Sequence, residues 1–323
     1  MAQGETEKRF TPLIILALVA ALVAVLGLWA VDRAGEDGNG GRNVGAVATS
    51  DEVFEWKLVT TWPKNFPGLG SAAENLSRMV EEMSNGRLKI RVYGGGEIVP
   101  ALGVFDAVSQ GVADAGHGAA YYWKGKVPSS VFFTAVPFGL NAQETFGWLH
   151  YGGGLELWEE AYAPYNLIPM GGGSTGVQMG GWFNKEINSI EDLQGLKMRI
   201  PGLAGEVYTA AGGTSVTLPG SELYTSLQTG VIDALEWVGP YNDRILGFHQ
   251  VARYYYYPGW HEPGTYLEFF FNKKAYDSLP KDLQVLLNAA CVENDHWILA
   301  QFNAQNGAAL QDLIFKHKVE LVK

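Results

Sequence analysis

Two short stretches of this chain echo each other, and that echo restricts its fold more than any other feature. Ala107-Val108-Ser109-Gln110-Gly111-Val112-Ala113-Asp114-Ala115 resembles Ser226-Leu227-Gln228-Thr229-Gly230-Val231-Ile232-Asp233-Ala234. Each closes an amphipathic helical pattern, with Leu102, Phe105 and Val108 before one and Leu223, Tyr224 and Leu227 before the other. Each then stops at a glycine and enters a short apolar run. Strand patterns precede both, at 88–93 and 196–200. One strand–helix–strand design used twice implies a parallel-sheet α/β protein. Over 323 residues, two lobes of similar build account for it more simply than one large core, although a single α/β domain can show such an echo too.

The folded part begins near Val53. Residues 54–60 alternate as a strand, the loop 63–70 leads into a helix carrying Leu76, Met79, Val80 and Met83, and Gly86 stops it. Gly152-Gly153-Gly154 and Gly171-Gly172-Gly173 read as bends between elements. The run 171–176 fits a dinucleotide fingerprint, but 177–183 reads as a strand, which leaves no helix N-terminus to receive a pyrophosphate.

Ahead of the folded part, Lys8 and Arg9 precede a continuous apolar stretch from Pro12 to Val31, ended by Asp32 and Arg33. Residues 1–34 are thus a signal or a membrane anchor that takes the chain out of the cytoplasm. The small-x-small run Ala46-Val47-Ala48 lies far beyond the apolar stretch, which favours an uncleaved anchor in the inner membrane. Residues 35–50 are polar and Gly-rich and read as a flexible linker. Residues 51–323 are the two-lobed domain, with lobe I over about 51–175 plus a later return segment and lobe II over about 176–300. A long hinge helix is expected within 201–250.

A net charge of −11 without a basic run argues against a nucleic-acid partner. A lone cysteine, Cys291, supports neither a disulfide nor a Cys-based zinc site. The six histidines, His117, His150, His249, His261, His296 and His317, show no ligand spacing, and there is neither a G-x-S-x-G nor a P-loop motif.

Charged residues inside apolar strand patterns are the informative ones. Arg199 sits in Leu196-Lys197-Met198-Arg199-Ile200-Pro201 and Glu236 in Ile232-Asp233-Ala234-Leu235-Glu236-Trp237. Both fall at strand ends, where ligands collect in open parallel sheets. An internal Arg–Glu pair and a ligand site both fit this placement. Gln178 and Glu262 complete the candidate set. Tyr121, Tyr122, Trp123, Trp182, Trp237, Tyr241 and Trp260 could wall an apolar cleft.

The run from Asn188 to Pro201 resembles the signature segment of the solute-binding subunits of tripartite ATP-independent periplasmic (TRAP) transporters. Thr60-Thr61-Trp62-Pro63, the segment from Leu227 to Trp237, and Trp260-His261-Glu262-Pro263-Gly264 resemble its α-keto acid and lactate-binding branch. The likeness runs from about Phe54 to the C-terminus. It implies a two-lobed, periplasmic-binding-protein-like α/β fold with the ligand cleft between the lobes. It also implies extracytoplasmic capture of a small 2-oxo or 2-hydroxy monocarboxylate, delivery to membrane subunits, and no catalysis.

In that branch the position of Arg199 clamps the substrate carboxylate, work suited to a bidentate guanidinium. Positions matching Gln178, Glu236, the Trp237 main-chain carbonyl and Glu262 hold a metal ion, Na+ or Ca2+, that also touches the substrate. The substrate-binding set is then Arg199, Gln178, Trp237 and Glu262, with Tyr122 from the aromatic wall. Charge balance agrees: two carboxylates beside an anionic ligand repel it unless a hard cation intervenes. A homodimer through C-terminal helices is a further implied partner, weakened because this chain stops at Lys323 where the family continues into long helices. Two other functions compete with transport: a membrane-tethered ligand sensor, and a glycoside hydrolase using Glu236 and Glu262 as its carboxylate pair.

Overall fold

The computed structural model describes residue 16, residues 18–28 and residues 52–323. Residues 18–28 form a helix, α1, whose side chains are exposed. Among the described residues no helix is long and apolar enough to cross a membrane. Most of the anchor and the whole of the 35–50 linker lie outside the described residues.

The body is built on two sheets. The first has the order β2-β1-β3-β10-β4, from strands Phe54–Thr60 (β1), Leu88–Tyr93 (β2), Ala115–Gly118 (β3), Leu167–Gly176 (β4) and Thr265–Asn272 (β10). The second has the order β11-β9-β5-β8-β6-β7, from Gly181–Phe183 (β5), Lys197–Arg199 (β6), Thr214–Val216 (β7), Ala234–Leu235 (β8), Tyr254–Tyr256 (β9) and Glu320–Val322 (β11). This mixed α/β architecture agrees with the fold class read from the sequence. Strand β10 returns to the first sheet from inside the 176–300 range read as lobe II, and β11 brings the chain back to the second.

The sequence echo is a structural repeat. In the first sheet β1 lies between β2 and β3, parallel to both, and in the second β6 lies between β7 and β8, again parallel to both. The helices between them are Leu69–Met83 (α2) and Val104–Ser109 (α3) in the first unit, Gly202–Ala210 (α6) and Gly220–Gln228 (α7) in the second. A matched clasp closes each unit. Lys57 N donates to the Asp114 carboxylate at 2.8 Å while Asp114 N donates to Lys57 O at 3.0 Å. Lys197 N and Asp233 repeat it at 2.9 and 2.7 Å. The glycine before each aspartate adopts positive φ, 75° at Gly111 and 73° at Gly230, a conformation only glycine takes without strain. One alignment needs correction: strand 196–200 is the counterpart of β1, and the true counterpart of β2 is β7, whose three residues carry too little pattern to be read.

Helix α2 forms because Leu69, Ala72, Ala73, Leu76 and Val80 recur at helical spacing and bury against the sheet. On β1, Trp56 and Leu58 face the α2 side while Val59 joins the opposite core with Phe105, Trp158 and Phe270. The second core layer includes helices Ala142–Tyr151 (α4) and Gly154–Tyr162 (α5), separated at Gly152 and Gly153 as the glycine tract suggested.

The long helix is not within 201–250. Gly212, Gly213, Pro219, Gly230 and Gly239-Pro240 cut that region into α6, α7 and Pro240–Leu246 (α8). It is instead Lys281–Phe315 (α10), reached through Lys273–Ser278 (α9) and about 50 Å long at 1.5 Å per residue. Its buried stripe, Leu283, Leu287, Cys291, Asp295, Ile298, Phe302 and Leu313, packs along β4 and against α2 and α8.

Gly171-Gly172-Gly173 is likewise not a bend. It lies inside β4, where a methyl group at Gly171 would overlap the Asp295 carboxylate, at Gly172 the β10 backbone, and at Gly173 the Ile298 side chain. The glycines let α10 and β10 approach the strand closely.

Candidate functional site

The carboxyl ends of the central strands in both units supply the site. Arg199 ends β6 and is 1% exposed. Its Nη1 donates to the Glu236 main-chain oxygen at 2.8 Å and to the Glu236 carboxylate; Nε donates to Leu218 O at 3.3 Å and Nη2 to the Tyr122 hydroxyl at 3.4 Å. The guanidinium carbon stands 5.0 Å from the centre of the Trp237 ring. Glu236 follows β8, its N–H bonded to Arg199 O at 3.1 Å, and its second carboxylate oxygen lies 3.3 Å from His261 Nε2.

Gln178 and Glu262 approach from two loops that hold each other. Gln178 N donates to Glu262 O at 3.2 Å and Gly259 N donates to Gln178 O at 3.0 Å. The Thr265 hydroxyl gives its proton to the Glu262 carboxylate and the Thr175 hydroxyl gives its proton to Gly176 O. Both hydroxyls can therefore only accept from Gln178, and its Nε2 serves them at 3.1 and 2.9 Å. That arrangement turns Gln178 Oε1 away from both. Gln178 Oε1 and Glu262 Oε1 are buried oxygens with no hydrogen-bond donor.

Two unsatisfied buried acceptors are costly, and oxygens of this kind are the ligands that a hard cation takes. Donor atoms of Glu236, His261 and Glu262 all lie within 4.8 Å of one another, and all three residues are buried. The residues present thus fit a bound cation. Burial, then the charge of Glu236, pushes Glu262 up to about 7. Burial opposes a charge on His261, but the hydrogen bond and charge of Glu236 outweigh it and raise its pKa. Burial also opposes the charge on Arg199, yet Glu236 and neighbouring groups keep the guanidinium protonated.

A small cavity adjoins this cluster. Trp62, Ala119 and Leu267 come to it from the first sheet and its loops, and Arg199, Trp237 and Val238 from the second. The structure brings together all six residues singled out in the sequence: Arg199, Gln178, Glu236, Trp237, Glu262 and Tyr122. Of the seven candidate wall aromatics, Tyr121, Tyr122 and Trp237 line the cavity. The other four have structural partners: Trp123 donates to Glu268, Trp182 stacks on Tyr255 at 3.9 Å, Tyr241 packs on Phe302, and Trp260 on Phe138. Sequence reasoning missed His261 and Thr265. The signal was their position, one residue before and three after Glu262, where a loop enters a buried strand.

Residues 58–323 match the profile of the bacterial extracellular solute-binding proteins, family 7. The chain belongs to that family. It is 48% identical over 272 residues to a monocarboxylate 2-oxoacid-binding periplasmic protein of Nostoc sp. (strain PCC 7120), covering 84% of this chain and 74% of that protein. Among solved structures, the TRAP solute-binding protein of Pseudoalteromonas atlantica, with bound sodium and pyruvate, is 50% identical with a TM-score of 0.81 over 84% of this chain and 82% of that one. The Colwellia psychrerythraea protein, with bound calcium and pyruvate, is 50% identical with a TM-score of 0.82 over 84% and 83%. The repeated α/β units are therefore the two lobes of a family 7 solute-binding protein, and the family's role is reception of a solute.

Proposed function

We propose that this protein captures a small 2-oxo or 2-hydroxy monocarboxylate together with a hard cation outside the cytoplasm and hands it to the membrane subunits of a TRAP transporter. The observation that carries the reading is the placement of a buried, charged Arg199 beside two buried oxygens that lack donors. Arg199 binds the ligand carboxylate with Tyr122 at its side. Gln178, Glu236, the Trp237 carbonyl and Glu262 hold the cation, which when bound supplies positive charge to the ligand's keto or hydroxyl oxygen. That charge offsets the repulsion between the ligand and two carboxylates.

Closure follows from where these groups come from. Arg199, Glu236 and Trp237 belong to the second unit, and Trp62, Ala119, Tyr121 and Tyr122 to the first. A ligand held by both favours the closed state by its differential affinity, and the membrane subunits read that state. The apolar stretch from Pro12 to Val31 directs export.

The test is uptake of labelled pyruvate and lactate by cells in which this gene is deleted. Loss of uptake, restored by the wild-type gene but not by Arg199→Ala, supports delivery to a transporter. Unchanged uptake with a lost transcriptional response to the same acids would make the protein a sensor instead.

A further inference from the structure

We propose that Asp243 is a positioning residue for the cation site, fixing the direction in which the Trp237 carbonyl points; this rests on the cation reading above. Asp243 is 1% exposed and lies in α8, outside the candidate ligand set. Its Oδ1 accepts from Val238 N at 3.4 Å and from Gly239 N at 3.1 Å. Its Oδ2 accepts from Trp182 Nε1 at 3.0 Å and from the Tyr255 hydroxyl at 2.7 Å.

The consequence comes from peptide geometry. In a trans peptide the C=O of one residue and the N–H of the next point in opposite directions within one plane. Holding Val238 N–H toward Asp243 therefore sends the Trp237 carbonyl to the other side. The hold on Gly239 N–H does the same for the Val238 carbonyl, which accepts from Met179 N at 3.0 Å. One carboxylate thus orients two successive peptides. The first presents a main-chain oxygen, and the second ties the loop to the residue beside Gln178. The two Oδ2 bonds tie the far oxygen to two side chains of the second sheet, so that either one can hold it when the other is lost.

A role in general stability and a role in aiming one carbonyl differ in what they affect. The experiment compares Asp243→Ala, which removes the acceptor facing Val238 and Gly239, with Tyr255→Phe, which removes only a bond to the far oxygen. Calcium affinity is measured by calorimetry, and Tb3+ emission sensitised through nearby tryptophan gives a second reading. Amide exchange at Val238 and Gly239 is followed without metal. Asp243→Ala is expected to weaken cation binding ~10-fold or more and to speed exchange at both amides, in line with the effect of outer groups on metal sites. Tyr255→Phe is expected to stay within ~3-fold at comparable loss of thermal stability. If Asp243→Ala fails to fold, Asp243→Glu, which keeps the charge but lengthens the reach, is expected to show the same cation-specific loss.

Unchanged cation affinity in the Asp243 variants, or an equal loss in Tyr255→Phe, overturns the proposal while leaving the cation reading intact. Absence of any Ca2+ or Tb3+ binding by the wild-type protein overturns both.

Discussion

Arg199 and Glu236 form a buried ion pair in which one guanidinium nitrogen serves both the carboxylate and the main-chain oxygen of the same glutamate. Of the two alternatives the sequence left for these residues, the internal pair is present, and the proposed ligand clamp uses the same guanidinium. Without a ligand carboxylate, Glu236 compensates Arg199 in the protein interior. In the proposed bound state Arg199 and Glu236 would each gain a further partner, and a cation beside Glu236 would balance the added negative charge.

Replacing Arg199 by Ala strands Glu236 in the interior. A loss of about 3–5 kcal/mol in stability is expected, lowering Tm by roughly 10 °C. Replacing both residues by Met is expected to recover most of that loss while ligand binding stays abolished. Thermal unfolding and calorimetry on the single and double variants check this.

Glu262→Gln removes one negative oxygen donor from the proposed cation set. Cation affinity is expected to fall ~10–100-fold, with a smaller change in acid affinity at saturating cation. Titration of Ca2+ into the chelator-treated protein reads the first, and titration of pyruvate at high Ca2+ the second.

Stability is expected to decline from pH 5 to pH 8. Burial pushes Glu268 up to about 8 and Asp295 up to about 7, so the folded protein holds protons that the unfolded chain has released above about pH 4 to 5. Their contribution is complete below the unfolded pKa and is lost as pH rises through the folded values. Glu268→Gln, which keeps an acceptor for Trp123, is expected to flatten the alkaline part of a Tm–pH curve.

Gly173→Ala tests the close packing of α10. At φ 112° the backbone is strained for alanine, and the added methyl meets Ile298. Destabilisation of about 3 kcal/mol is expected from strain and overpacking together, measurable by urea unfolding.

Legibility followed periodicity and charge. The strands 54–60 and 88–93 and helix α2 alternate or repeat over enough residues to be read, and Arg199 and Glu236 stood out because charge is costly in an apolar strand. Strands β7 and β9 are three residues each and carry no period. The glycines 171–173 were read as a bend because their purpose, admitting Asp295 and Ile298 from a helix more than a hundred residues away, is invisible locally. Asp243 was silent because two of its donors are main-chain N–H groups, of Val238 and Gly239, which leave no mark in side-chain pattern, and the others, Trp182 and Tyr255, come from separate strands.

The most direct measurement is calorimetry on residues 52–323, titrating pyruvate, lactate, 2-oxobutyrate and succinate before and after chelation, with Na+ or Ca2+ restored, alongside Arg199→Ala. The account predicts tight binding of a monocarboxylate that needs the cation and disappears in Arg199→Ala. Binding of succinate without any cation, or monocarboxylate binding that survives both chelation and Arg199→Ala, would contradict it.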